Sequence, residues 1–373
     1  MTRALILGGG LGALGVVRSL TRAGIASEIA CSQNDPAALS SGVTKIHKLP
    51  ASPSACHQLL ESLSSEYVVI PCSDDWVENL SQTQAHGSMK ARTLVPTLET
   101  VRTFTHKDRF AELLTELAVP HPSTIILNAD DPNSPGYADL DSRYFLKPVD
   151  SQNFFRIFKQ KAIRRDEPEA NVLSQSAIAQ GLTFLAQEYL PGEASKHYFI
   201  DGCCNSQGEI AAALARQRLR MYPPLFGNST YMHSIPIAEV SQPLSHLSRL
   251  FRTTAFQGLF SAEWKLGADG TFRLLEVNIR AWWFVEFATR CGLNLPQLFF
   301  KLAVGEPTRV GSYSIGKHFF HPYYDLYALR ELYQLPYLRW LYQLGSTWNS
   351  HFAWDDPRPA FASTIQAIWG HLR

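Results

Sequence analysis

The segment Leu274-Leu275-Glu276-Val277-Asn278-Ile279-Arg280 carries a carboxylate, a carboxamide and a guanidinium at every second position. In an extended strand, successive side chains alternate between faces, so Glu276, Asn278 and Arg280 share one surface. The turn signal Gly267-Ala268-Asp269-Gly270 precedes this strand, and Phe260-Ser261-Ala262-Glu263-Trp264-Lys265 precedes the turn, with Glu263 and Lys265 on a common face. Folded back as a hairpin, the two segments set Glu263 opposite Glu276. Two carboxylates and one amide oxygen then lie together. Such a set suits Mg²⁺, which is commonly held by one or two carboxylates plus substrate phosphates, and it gives the adjacent Arg280 a role on a phosphate or acyl phosphate. The competing reading is a surface hairpin of solvated charges.

With 373 residues the chain has room for two or three domains, each with its own core. Its 34 basic and 33 acidic residues nearly cancel, so no global field recruits nucleic acid or an anionic membrane. The apolar run at the N-terminus gives way to glycine too early for a signal peptide or a membrane span, and the expected location is cytoplasmic. Six scattered cysteines, with no Cys-x-x-Cys pair, read as reduced and mostly core residues.

Along the chain, a short strand runs into Gly8-Gly9-Gly10-Leu11-Gly12-Ala13-Leu14-Gly15 and then a helix. Gly10-x-Gly12-x-x-Gly15 formally matches the dinucleotide fingerprint, but the second strand ends in Ser32-Gln33-Asn34, without the acidic residue that holds ribose. The alternative is a tight turn at Gly10 whose helix N-terminus faces a small anion such as a substrate carboxylate. The strand Tyr67-Val68-Val69-Ile70-Pro71 delivers Asp74 and Asp75 to the edge where such sheets bind ligands; they either meet an amino group or cap the next helix. Lys107 stands at the opening of an amphipathic helix. Lys147 sits within the apolar strand Tyr144-Phe145-Leu146-Lys147-Pro148, where it either contacts a nucleotide phosphate or snorkels to solvent.

The stretch Gln187-Glu188-Tyr189-Leu190-Pro191-Gly192-Glu193 reads as a strand broken by a Pro-Gly hinge. Arg216, Arg218 and Arg220 alternate on a further strand and form a local basic face, followed by a Pro-Pro loop that is either a flap or a rigid turn. Residues 323–344 mix aromatic and apolar residues at near-helical spacing. That pattern fits a helix packed on the body better than an interfacial membrane helix, because it lacks a lysine-rich polar face.

Lys107, Lys147 in Phe-Leu-Lys-Pro, the 187–193 hinge, Glu263 and Glu276-Val277-Asn278-Ile279-Arg280 together resemble the ATP-grasp superfamily in order and spacing. Ile70-Pro71-Cys72-Ser73-Asp74-Asp75, Arg218-Leu219-Arg220-Met221-Tyr222-Pro223-Pro224 and Trp354-Asp355-Asp356-Pro357-Arg358-Pro359 look like the branch containing D-aspartate ligase and related carboxylate-amine ligases. The resemblance implies an α/β chain with a Rossmann-like preATP-grasp domain at 1–100 that does not bind a dinucleotide. An ATP-grasp domain follows at 101–310, with a small lobe near 107–185 and a large lobe near 186–310, and then an aromatic-rich helical extension at 311–373.

The same resemblance implies that Lys107 and Lys147 hold ATP phosphates, Gln187, Glu188 and Leu190 meet adenine, and Glu193 meets ribose. Glu263, Glu276 and Asn278 would ligate Mg²⁺, and Arg280 with Arg218 would stabilise the transferring phosphoryl group. Gly10, Asp74, Arg216, Arg220 and Trp282 are the substrate candidates. The implied reaction joins a carboxylate to an amine through an acyl phosphate, with release of ADP and phosphate, on an amino acid or small peptide; a homodimer is compatible with it. Alternatives are a small-molecule kinase and a non-catalytic nucleotide-binding module. Two departures stand out. Ile279 replaces a frequent proline, and Ala281-Trp282-Trp283-Phe284 is bulky where small residues are common, so these aromatics either line the acceptor pocket or pack between lobes.

Overall fold

The computed structural model describes residues 2–50, 52–127, 140–141, 143–149, 157–158, 162–164, 184–223, 226–330 and 337–363. The expected loop at 128–141 lies almost entirely outside them, as do positions 224 and 225 of the expected flap.

Strands β1 (Arg3–Leu7), β2 (Ser27–Cys31), β3 (Val43–Lys48) and β4 (Tyr67–Pro71) form a parallel sheet in the order β3-β2-β1-β4. Ala4, Leu5, Ile6 and Leu7 are fully buried, as a central parallel strand covered on both faces requires. Helix α1 (Gly10–Arg22) links β1 to β2, α2 (Pro53–Ser62) links β3 to β4, and α3 (Asp74–Ala85) follows β4. Two further helices lead out, α4 (Leu98–Thr105), capped by Thr97, and α5 (Lys107–Glu116).

The small lobe is a four-stranded sheet ordered β5-β8-β6-β7, from β5 (Thr124–Leu127), β6 (Tyr144–Pro148), β7 (Ile163–Arg164) and β8 (Phe184–Glu188). The large lobe is built from β9 (His197–Cys204), β10 (Ile210–Tyr222), β11 (Asn228–Ile235), β12 (Gly258–Leu266) and β13 (Phe272–Asn278), with α6 (Ser241–Thr253) packed on one face. The predicted hairpin is present. Glu263 pairs with Glu276 and Ser261 with Asn278, and a bulge beside Glu263 lets Trp264 oppose Leu274. Trp264, Leu274, Val277 and Ile279 enter a core with Leu247, Leu250 and Phe251 of α6.

After β13 come α7 (Val285–Arg290) and α8 (Leu295–Val304), then β14 (His318–Phe320), α9 (Pro322–Ala328), α10 (Tyr337–Ser346) and β15 (Trp348–Asn349). The C-terminal segment is therefore helical in part and also lengthens the large sheet, whose order is β13-β12-β9-β10-β11-β14-β15. On α10, Leu338, Leu341 and Tyr342 are exposed, but Trp340 Nε1 donates to the buried Asp325 at 3.0 Å and ties the helix to the body. No described helix is long and apolar enough to cross a membrane.

Among the contacts that dock the first domain, one is the close approach of α1. A Cβ at Gly15 would lie 2.8 Å from Val285 Cγ1 and 3.2 Å from the Glu286 nitrogen, and one at Gly12 would lie 3.3 Å from the Ala281 oxygen. The glycines that resemble a nucleotide fingerprint let α1 approach the segment after β13. Another is a clasp from the C-terminal segment. The buried Arg18 donates from Nε to Asp356 Oδ2 at 3.0 Å and from Nη2 to the Asp356 and His351 carbonyls at 2.8 and 2.9 Å. Asp356 also accepts from Ser40 Oγ and the Ser41 nitrogen, while Arg22 pairs with Asp355.

Gly15→Val should overpack the α1 interface and destabilise the protein by about 1–3 kcal/mol. Urea denaturation reads this directly, and an unchanged midpoint would show that the interface has slack.

Candidate active site

A cleft of about 1000 Å³ lies where the small lobe meets the free side of β13, the edge strand of the large sheet. Lys107, Lys147 and Gln187 line one side, Glu276 and Asn278 the other, and Asp74 and Asp75 close it from the first domain. Among the contacts between the lobes are a backbone hydrogen bond from the Leu274 nitrogen to the Pro120 oxygen at 2.8 Å and the rings of Phe145 and Phe226, 4.8 Å apart.

Lys147 shares a sheet face with Gln187, and Nζ reaches Oε1 of that residue at 3.5 Å; Gln187 Nε2 in turn donates to Thr124 Oγ1 at 3.2 Å. Lys107, the first residue of α5, donates from Nζ to the carbonyls of Pro148 and Val149, the latter at 3.1 Å. Both lysines are thus referred to the end of β6. At the hinge, β8 is an interior strand, so the main chain of Gln187 and Glu188 is already inside the ladder; the Glu188 and Tyr189 nitrogens donate to Ser123 and Arg143 carbonyls, both at 2.8 Å. The chain leaves the ladder at Leu190. Glu193 is exposed and accepts from Ser195 Oγ at 3.4 Å.

The basic strand differs from expectation. Arg216 pairs with Asp201 (Nε to Oδ2, 2.6 Å), Arg218 with Glu263 (Nη2 to Oε1, 3.0 Å), and Arg220 with Asp325 through two bonds of 2.9 and 2.6 Å. All three arginines are buried. A charge on this face has to bring its counter-ion with it, because leaving it unpaired would cost several kcal/mol. Arg216 and Arg220 are therefore not offered to a substrate. Arg218 also donates to Ser229 Oγ at 2.9 Å.

Glu263 is held from two sides. His197 Nδ1 lies 2.6 Å from Oε1, the same oxygen that receives Arg218, so Oε2 carries neither contact. Burial alone would raise the Glu263 pKa, but the Arg218 charge and the His197 hydrogen bond outweigh it and hold the carboxyl at about 2. Burial also pushes the His197 pKa below its ordinary value, against the pull of Glu263. Across the hairpin, Glu276 is exposed and its Oε1 accepts from Asn278 Nδ2 at 3.0 Å. Lys265, on the same face, is buried, and its ammonium lies 5.5 Å from the centre of the Tyr189 ring; burial and Arg218 lower its pKa to about 8.

Arg280 donates to both oxygens of Asp74, at 3.2 and 3.4 Å, and so links the segment after β13 to the first domain. The helix cap beside it is Ser73, whose Oγ accepts from the Trp76 nitrogen, so neither Asp74 nor Asp75 is spent on capping. Gly10 is a correction. With φ of +72° it opens α1, and its nitrogen donates to both oxygens of Asp35 at 2.9 and 3.1 Å, so the chain's own carboxylate fills the anion position expected for a substrate or a pyrophosphate. Trp282 is another. It is buried in the core between the first domain and the large sheet, which assigns it to packing, whereas Trp283 is 40% exposed and stacks 6.2 Å from Tyr324. His197 and Asp201 escaped the sequence reading. Their signal was the alternation His197, Phe199, Asp201, the period used for β13.

Glu263→Gln should cost about 3–5 kcal/mol at neutral pH, since it leaves Arg218 buried without its counter-ion. The folded pKa of about 2 lies below the ordinary 4.5, so this contribution is complete above pH 4.5 and is lost as pH falls toward 2. Urea denaturation of both proteins across that range should show the gap closing.

Residues 181–316 match the family described as ATP-grasp in the biosynthetic pathway with Ter operon. No curated protein sequence matches the chain. Among solved structures, carboxyaminoimidazole ribonucleotide synthase from Aspergillus clavatus, complexed with ATP, superposes with a TM-score of 0.63 at 16% identity over 85% of this chain and 80% of that one. L-amino acid ligase from Bacillus licheniformis gives 0.59 at 13% identity over 82% and 74%. Biotin carboxylase from Campylobacter jejuni, in a β,γ-ATP complex, gives 0.61 at 15% over 85% and 74%. Identities this low speak to fold alone. The hairpin, the two-lobed cleft, these superpositions and the family match over 181–316 make the chain a protein of the ATP-grasp fold.

Proposed function

We propose that the protein is an ATP-dependent carboxylate-amine ligase that forms an amide or peptide bond on an amino acid or small peptide through an acyl phosphate, releasing ADP and phosphate. The observation that carries this reading is the meeting, in one cleft, of Lys107 and Lys147 from the small lobe with Glu276 and Asn278 of β13, on the strand paired with Glu263. Cations face carboxylates across a gap sized for a ligand. The ATP complex of the Aspergillus synthase and the amino-acid ligase of Bacillus, both similar in fold, support the same class of chemistry.

In this reading Lys107 and Lys147 bind the ATP phosphates, the hinge at 187–190 meets the adenine edge, and Glu193 lies toward the ribose. The donor set fits Mg²⁺: Glu263 and Glu276 stand in register on one face, Asn278 adds an amide oxygen, and the Glu263 contacts leave Oε2 for a hard cation. Bound there, Mg²⁺ would offset charge on the phosphoryl oxygens. A free carboxylate is a poor electrophile, and phosphorylation turns one of its oxygens into a leaving group. Arg280, at the end of the metal face, stabilises the phosphoryl group, a role for which it exchanges Asp74 for the substrate. Asp74, freed by that exchange, holds the incoming ammonium and takes its proton, so that the neutral amine attacks the acyl carbon and phosphate leaves. Closure of the small lobe excludes water, which would otherwise hydrolyse the intermediate.

Purified protein with Mg-ATP should release ADP and phosphate only when an acid and an amine are both supplied, as read by a phosphate-release screen of paired amino acids and short peptides. Glu276→Ala should lower turnover by about 100-fold or more while the protein stays folded. AMP and pyrophosphate as products would reject the acyl-phosphate route, and a phosphorylated end product would identify a kinase.

A further inference from the structure

His197 is placed on β9 directly opposite Lys265 of β12, while Glu263 is opposite Phe199. His197 therefore reaches Glu263 on the diagonal, a separation that a long side chain spans across a sheet face. The 2.6 Å contact between Nδ1 and Oε1 requires a proton between them. That puts a hydrogen on Nδ1, which also lies 3.1 Å from Arg218 Nη1, and among the described residues Nε2 has no hydrogen-bond partner. A buried imidazole that leaves one nitrogen unsatisfied is costly, and filling the space with a ring does not by itself require a histidine there. Arg218 adds a second donor to the same oxygen at 3.0 Å.

Resting on the ligase reading, we infer that His197 is a positioning residue for the metal: with Arg218 it pins Oε1 of Glu263, so that Oε2 is the oxygen presented to the divalent cation. The donor is Nδ1, and the rest of the ring is dispensable. Asparagine at 197 places its carboxamide nitrogen close to the position of Nδ1, glutamine places it nearer that of Nε2, and alanine removes it. These three substitutions separate positioning from mere filling of space.

The test is a Mn²⁺ titration of the full-length protein with ADP, followed by the electron paramagnetic resonance signal of free Mn²⁺, together with ADP binding in the absence of metal. His197→Ala and His197→Gln should weaken Mn²⁺ binding by about 10- to 100-fold, while His197→Asn stays within about threefold of wild type and metal-free ADP affinity is unchanged in all three. The inference is overturned if the alanine and glutamine variants hold Mn²⁺ as wild type does, if asparagine fails to rescue, or if metal-free ADP affinity falls in parallel. Should His197→Ala not fold, the contrast between asparagine and glutamine decides. A wild-type protein that binds neither ADP nor Mn²⁺-ADP overturns the ligase reading itself, a result distinct from wild-type binding that His197 does not influence.

Discussion

A slip of one residue between β12 and β13 would send Glu276 and Asn278 to the α6 side of the sheet and bring Val277 and Ile279 onto the ligand face. The register is held from below. Trp264 and Leu274, opposed across the bulge, are buried with Val277 against Phe251 and Leu250, and each would have to surface if the strands shifted. Burying a side chain of this size contributes about 1.5–3 kcal/mol, so the hydrophobic face fixes the placement of the carboxylates more firmly than the carboxylates themselves do. The chemistry on one surface is thereby a consequence of packing on the other.

The same logic governs β10. Three arginines at alternate positions would make a strongly cationic strip if left to themselves, yet each meets an acid from a different part of the fold: Asp201 on β9, Glu263 on β12 and Asp325 on α9. Buried pairs of this kind add little net stability over apolar replacements, but breaking one is expensive. They act as alignment pins. Only the middle pair lies next to a proposed ligand position, and there the arginine leaves one carboxylate oxygen uncovered.

Much of this was legible in the amino-acid sequence. Alternation put Glu276, Asn278 and Arg280 on one face, and the turn signal at 267–270 supplied the hairpin that sets Glu263 opposite Glu276. Lys107, Lys147 and the hinge were found on the expected elements because glycine, proline and apolar runs mark those boundaries locally. What escaped was set by partners distant in the chain. Nothing near Arg220 signals that Asp325, 105 residues away, would neutralise it, and nothing near Gly10 signals Asp35, 25 residues on. The aromatic run after Arg280 splits for the same reason: Trp282 turns into a core made jointly with α1, while its neighbour Trp283 stays partly in solvent.

The clasp on Arg18 has a temporal side. Its guanidinium is buried, and its carboxylate partner Asp356 lies 338 residues later in the chain. At ~5–20 residues per second, a ribosome needs on the order of tens of seconds to make the distance between them. Throughout that interval the nascent first domain carries a cation, together with Ser40 and the Ser41 amide, whose shared partner Asp356 does not yet exist, although Glu286, 3.4 Å from Arg18, is made sooner. The sheet of β1 to β4 can assemble early, but α1 cannot settle into its final surroundings until Asp356 has been made, so this part of the protein is completed long after it is synthesised.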